Sequence, residues 1–216
     1  MAEVKRRQSL EVSVTQAYRS LPMYVAALPK SLMNARHLSL LVVFPALFLG
    51  ACDDATGPQA NVDVITDTLL VKAFTGATTS DPTALNTFRV ATVRTETTSG
   101  YDVVFDLDAQ GRILLYPPSK IASVGRAGLQ RAEAAFDAIT EAPVSGYNES
   151  DIVTAAPGEV YLIRAFPSAC SLNIRPFVYS KIVLDSVNVA NRTIHFRITA
   201  NPNCGFRSFA EGRPEF

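Results

Sequence analysis

Alternating hydrophobic and polar positions dominate the second half of the chain. Tyr101-Asp102-Val103-Val104-Phe105-Asp106-Leu107 sets Tyr101, Val103, Phe105 and Leu107 on one face, a period of two that predicts a strand. Thr68 to Phe74 and Phe88 to Thr97 are rich in β-branched and aromatic residues and predict two more. Arg112 to Tyr116 continues the series across a tight turn and stops at Pro117-Pro118. Gly158 to Ala165, Phe177 to Val187 and Thr193 to Thr199 complete it, the last two joined as a hairpin through Asn188-Val189-Ala190-Asn191. In the final strand Ile194, Phe196 and Ile198 face one way, and Thr193, His195 and Arg197 the other. One stretch breaks the period. Leu129, Ala132, Phe136 and Ile139 fall on a single helical stripe, predicting a helix over 128–140 that Pro143 ends. The expected fold is mainly β, an antiparallel β-sandwich or small barrel with one helix near 128–140.

The first quarter of the chain follows a different pattern. Leu38 to Leu49 is an apolar run interrupted only by Ser39 and Pro45, preceded by Met33-Asn34-Ala35-Arg36-His37. Its length suits the apolar region of a signal peptide and falls short of the roughly 20 residues a membrane-spanning helix needs. Leu49-Gly50-Ala51-Cys52 closes it. The small residues fit a peptidase groove, and Cys52 offers a thiol. These residues resemble the lipobox of bacterial lipoprotein precursors. That resemblance implies diacylglycerol on the Cys52 sulfur, cleavage before Cys52 and acylation of the new amino terminus. The implied location is the bacterial cell envelope, lipid-anchored on the periplasmic face of the inner or outer membrane. The other readings of the run are an ordinary secretory signal, or a buried helix with a chance cysteine.

The segmentation that follows is 1–32, a polar extension; 33–51, the signal peptide; 52–66, a tether; and 67–216, one β-rich domain. A start codon placed too far upstream accounts for 1–32 better than a long basic leader carrying Lys5, Arg6 and Arg7. Asp53 to Ala60 is small, polar and contains Gly57 and Pro58, as a spacer between lipid and domain should be. The mature region also resembles, weakly and in style, β-rich lipoproteins of environmental bacteria whose activity is not known.

Processing changes the charge picture. Six of the 20 Lys and Arg residues lie before Cys52, but only two of the 20 Asp and Glu, so the neutral precursor leaves a product near −4. Such a domain lacks the electrostatic footprint of a nucleic-acid binder. With Cys52 acylated, Cys170 and Cys204 remain, the number for one disulfide in an oxidising compartment. A metal pair lacks partners, since the product has His195 alone and no further thiol.

Candidate chemistry is sparse. Asp106-Leu107-Asp108-Ala109-Gln110-Gly111 resembles half of a calcium loop, but Pro117 stands where the closing glutamate belongs, and a hairpin turn explains the same residues. His195 lies among outward strand positions without a nucleophile elbow. No cofactor, metal site or catalytic residue is expected. Asn201-Pro202-Asn203-Cys204-Gly205-Phe206-Arg207-Ser208 is the densest cluster of turn-forming residues. Phe206 and Arg207, with Tyr147 from a second turn, are the candidate contacts for a partner such as an envelope protein or a glycan. The expected function is a non-enzymatic binding or structural β-domain held at a membrane. The alternative is an anchored hydrolase of envelope or imported polymers that works through carboxylates.

Overall fold

A computed structural model describes residues 59–121 and 125–214. The extension 1–32, the signal 33–51 and the tether from Cys52 to residue 58 lie outside the described residues.

The described residues form ten strands: β1 (Ile65–Lys72), β2 (Ala84–Asn86), β3 (Ala91–Val93), β4 (Val103–Leu107), β5 (Ile113–Tyr116), β6 (Ala127–Ala132), β7 (Val153–Ala155), β8 (Val160–Ala165), β9 (Val178–Asn188) and β10 (Thr193–Asn201). They make two five-stranded sheets, ordered β1-β10-β9-β8-β6 and β3-β2-β4-β5-β7, with every pairing antiparallel. The sheets stack face to face as a β-sandwich, and no closed barrel forms. Alternation does the packing. Phe105 on β4 and Phe196 on β10 stack across the interior with ring centroids 4.9 Å apart. Leu85, Val103, Ile113 and Leu115 from one sheet meet Tyr161, Ile163, Ile182 and Ile198 from the other. The β9–β10 hairpin and the Gly111 turn fall where the sequence places them, Gly111 with φ +78°.

The helix expected over 128–140 does not form. Residues 127–132 are β6, paired with β8 from Ala127 opposite Ala165 to Ala132 opposite Val160. Beyond them only the single turn Phe136–Ala138 is helical. An isolated helix of this length is marginal in water, and the unpaired edge of β8 offers six residues of ladder instead. The stripe that suggested a helix splits between two cores. Leu129 points into the sandwich, while Phe136 and Ile139 cap the opposite face of the sheet. The expected strand over 88–97 shrinks to β3, and β2 and β7 are further short strands of the second sheet.

Strand β9 is consequently buried on both faces from Val178 to Leu184. Its outer face lies beneath Phe136, Ile139, Ala142 and Phe209. Residues 140–142 and 207–209 bind each other there through backbone bonds from Ala142 to Arg207 and from Phe209 to Thr140. Lys181 holds this cover down. Its buried ammonium donates to the carbonyls of Phe136 (2.7 Å) and Ile139 (2.9 Å) and lies over the Phe136 ring. Burial depresses its pKa, with Asp137 opposing. Among the described residues no helix is long and apolar enough to cross a membrane.

Candidate functional site

The amino-terminal end of β9 carries the site. Cys170 and Cys204 form a disulfide across 34 residues, joining the loop before β9 to the turn after β10. The chain enters the domain beside this staple. Asn203 accepts from the backbone N–H groups of Asn61 (2.7 Å) and Val62 (3.0 Å) and donates to the Val62 carbonyl. Asn203 and Asn201 are in turn bonded side chain to side chain, 2.9 Å apart. Stapling and pinning by a buried amide pair fix the loops of this end.

Next to the staple, antiparallel register sets Arg164 of β8 opposite Tyr179 of β9, and Tyr179 opposite Asn201 of β10. The Arg164 guanidinium is sandwiched between aromatic rings, 4.9 Å from the Tyr147 centroid and 4.7 Å from that of Phe177. It donates to Glu149 (2.8 Å) and to the Val144 carbonyl (3.2 Å). Burial pushes the Glu149 carboxyl up, but bonds from Arg164 and Arg126 outweigh it and leave the pKa below its usual value. Arg207 donates to the Ala142 carbonyl (2.9 Å) and pairs with Glu141. Arg175 lays its stem against Gly205, where a Cβ would stand 2.8 Å from that of Arg175. Gly205 has φ +85°, so any other residue there is both strained and blocked.

Together these residues line an open groove of about 370 Å³, with Tyr179, Phe177 and Val144 supplying apolar wall and Arg164, Arg175 and Arg207 supplying charge. Burial raises the Tyr179 pKa, while the three arginines pull it down, the electrostatic sign of their convergence on one phenol. Tyr147 is raised chiefly by burial, and its hydroxyl donates to the Pro143 carbonyl (3.0 Å).

The three residues expected to contact a partner therefore fare differently. Arg207 lines the groove, and Tyr147 stacks on the arginine at its heart. Phe206 is 4% exposed and faces inward, which removes it as a partner anchor. Burying a phenylalanine gains more than presenting one beside a staple that already fixes the turn. Arg164 and Tyr179 had no local signature, since β8–β9 register alone unites them, and Arg175 and Phe177 join the groove from the segment just before β9.

Other candidates resolve into structure. Asp106 accepts from Thr75, from the Leu107 N–H and from Arg192 at 3.0 Å, and Asp108 from Gln110 and Arg112. Their oxygens hold the hairpin, and among the described residues no group of acidic, histidine or cysteine side chains is arranged to hold a metal. His195 is exposed on the outer face of β10. Burial pushes the Asp102 carboxyl up to about 6, against bonds from Thr87, including one from its N–H at 2.6 Å. The cleft it lines, about 590 Å³ beside Tyr101, Phe166 and Ser168, contains no second acid among the described residues. Glu133 and Glu159 share another cleft, where Glu159 is already engaged by Arg131 and by the Tyr161 hydroxyl.

Fold and site define an antiparallel β-sandwich with an arginine–aromatic groove at its stapled end. No protein-family model matches the chain, and no curated protein sequence matches it.

Proposed function

We propose that this chain is the precursor of a bacterial envelope lipoprotein, acylated at Cys52, whose β-sandwich is a non-enzymatic binding module for an anionic ligand. The convergence of three guanidiniums on an open, aromatic-walled groove carries the binding half of this reading. The product is acidic overall, so arginines concentrated at one site are a local reversal of its charge. Planar guanidiniums recognise carboxylate and phosphate through paired hydrogen bonds, and a ring on each side holds such a group in orientation. Leu49-Gly50-Ala51-Cys52 after its apolar run supports the anchoring half. The disulfide, Cys170 to Cys204, accords with life outside the cytoplasm.

Two measurements test the two halves. The intact mass of the chain extracted from membranes in detergent should begin at Cys52 and exceed the polypeptide mass by its acyl chains. An unacylated chain retaining residues 33–51 overturns the anchor. Titration with glycerol phosphate and with a uronic-acid oligosaccharide should shift the ring NMR signals of Tyr147 and Tyr179. Shifts confined to other residues overturn the groove.

A second reading, a hydrolase acting through carboxylates, draws on Asp102, whose raised pKa suits a general acid. Paired-carboxylate hydrolysis needs a second acid, which this cleft does not supply. Hydrolysis of a chromogenic glycan that disappears in Asp102→Asn would move the assignment to this reading.

A further inference from the structure

The loop that the disulfide holds beside the groove, Ser171-Leu172-Asn173-Ile174-Arg175-Pro176, is unusual in what it shows to solvent. Leu172 is 99% exposed and Ile174 101%, the most exposed large aliphatic side chains among the described residues. Fully exposed aliphatics at a floppy tip would mean little, but this tip is built. Cys170 fixes its start, its carbonyl accepts from the Asn173 N–H at 2.9 Å, and the Arg175 stem packs on Gly205 at its end. Ile174 and Arg175 also line the groove, so one aliphatic prong stands beside three guanidiniums, and the second, Leu172, is exposed two residues earlier in the same loop.

From this arrangement we infer that the stapled end is a membrane-docking face. Leu172 and Ile174 enter the acyl boundary of an anionic phospholipid surface, while Arg164, Arg175 and Arg207 receive lipid phosphate in the groove. Apolar prongs flanked by cations are the chemistry of an interfacial lipid contact: the prongs need a hydrocarbon layer, and the guanidiniums need the phosphates immediately above it. The way the chain enters the domain gives the same orientation. Asn61 and Val62 are pinned to Asn203, next to Cys204 in sequence, so the polypeptide arrives at the prong-bearing end. Eight residues lie between Cys52 and Asn61, nine steps along the chain with a reach of no more than about 32 Å. An acyl anchor on Cys52 would hold this end of the sandwich nearest the bilayer. The inference rests on the proposed anchoring and groove, and names the anion as a membrane lipid headgroup.

The chain contains no tryptophan, so one introduced indole reports alone. Leu172→Trp and Ala190→Trp are made in the full chain, purified from membranes and reconstituted into vesicles carrying brominated phosphatidylglycerol. Ala190 is exposed in the turn at the far end of β9, an 11-residue strand spanning about 36 Å. Docking predicts that the indole of Leu172→Trp emits at shorter wavelength and is quenched, while that of Ala190→Trp remains water-like. In the non-acylated Cys52→Ser, Leu172→Trp chain, adding Ile174→Asp should lower vesicle partition about tenfold, the effect of withdrawing one buried aliphatic. Replacing the brominated phosphatidylglycerol by equally brominated phosphatidylcholine, whose phosphate is neutralised by choline, should weaken the quenching of the Leu172→Trp probe, and equal quenching in the two lipids overturns the requirement for an anionic headgroup. Emission from Leu172→Trp no different from that of Ala190→Trp overturns the docking face. Mass and flotation report the anchor separately. An acylated, floating Leu172→Trp chain whose indole is unquenched sinks the docking face and leaves the anchor standing. If the chain proves unacylated, the anchor fails, and quenching of the same probe on added anionic vesicles still decides the docking face.

Discussion

At the end of the sandwich where β9 turns into β10, Arg192 reaches back to Asp106 (3.0 Å), to the carbonyl of Leu107 (2.9 Å) and to that of Thr75 (3.0 Å). At the opposite end Arg164, Arg175 and Arg207 surround a groove. The first cluster is closed: its one guanidinium meets a buried carboxylate and two carbonyls, and ties the hairpin of one sheet to a strand of the other. In the second, Arg164 pairs with Glu149, which Arg126 shares, and Arg207 pairs with Glu141, and both acids are far more exposed than Asp106. On the proposed reading, arginine is a fastener at one end of the fold and a receptor at the other. The difference lies in how deeply the acid that meets the arginine is buried.

Breaking the fastener should have the largest effect. Arg192→Ala strands Asp106, which is 5% exposed, with a charge and no cation, and should destabilise by about 3–5 kcal/mol in urea titration. Asp106→Asn in the same chain should recover part of that loss, giving a clear coupling in the double-mutant cycle. An additive pair would mean that Arg192 serves packing alone. Next comes the staple. Replacing Cys170 and Cys204 by serine frees a loop of 34 residues and should cost about 3–4 kcal/mol in the chain-entropy account. The same change should raise hydrogen exchange at Asn203 and Gly205 well above that at the β9–β10 turn. Uniform acceleration would show that the two ends are not separately fastened.

How much of this could be read from the chain follows the range of the forces. Strands β1, β4, β5, β8, β9 and β10 declare themselves, because alternation such as Ile194, Phe196, Ile198 is a local record of burial. The Gly111 and Asn188–Asn191 turns do so through their own backbone needs, and Cys170 with Cys204 through cysteine arithmetic. Strand β6 does not. Its sequence, Ala-Gly-Leu-Gln-Arg-Ala, carries a single large apolar residue, and its strand character comes from β8, more than 25 residues further on. The groove is half visible for the same reason. Arg207 and Tyr147 stand in turn clusters that draw notice, whereas Arg164 and Tyr179 become neighbours only through β8–β9 register. Phe206 shows the converse error, in which a conspicuous residue in a special turn proves to be core.

Asp102 sharpens the comparison as a buried carboxylate that no cation pairs with among the described residues. Its pKa of about 6 in the folded chain lies above the ordinary 3.8, so folding holds its proton over a range where the unfolded chain has released it. Stability from this group is therefore fullest below about pH 4, falls as pH rises toward 6 and stays low above it. The loss is about 3 kcal/mol. Asp102→Asn keeps an acceptor for the Thr87 N–H and cannot ionise. Its melting temperature should exceed that of the parent at pH 7 and approach it at pH 4. A difference that does not vary with pH would assign the effect to packing.

The smallest effect on stability tests the receptor cluster. Arg207 is partly exposed and pairs with Glu141, which is largely exposed, and pairs of that kind contribute at most about 1 kcal/mol. Arg207→Ala should therefore leave the unfolding free energy from urea titration within about 1 kcal/mol of the parent, in contrast to Arg192→Ala. Glycerol phosphate binding, read from the Tyr179 ring signals, should nonetheless weaken about tenfold with the loss of one charge-assisted bond. Arg207→Lys should recover little of it if the contact is bidentate, because an ammonium cannot present two parallel donors. Arginine acting as a receptor makes affinity fall while stability holds. If stability falls as far as in Arg192→Ala while affinity is unchanged, Arg207 is a fastener too, and the two ends of the sandwich are alike.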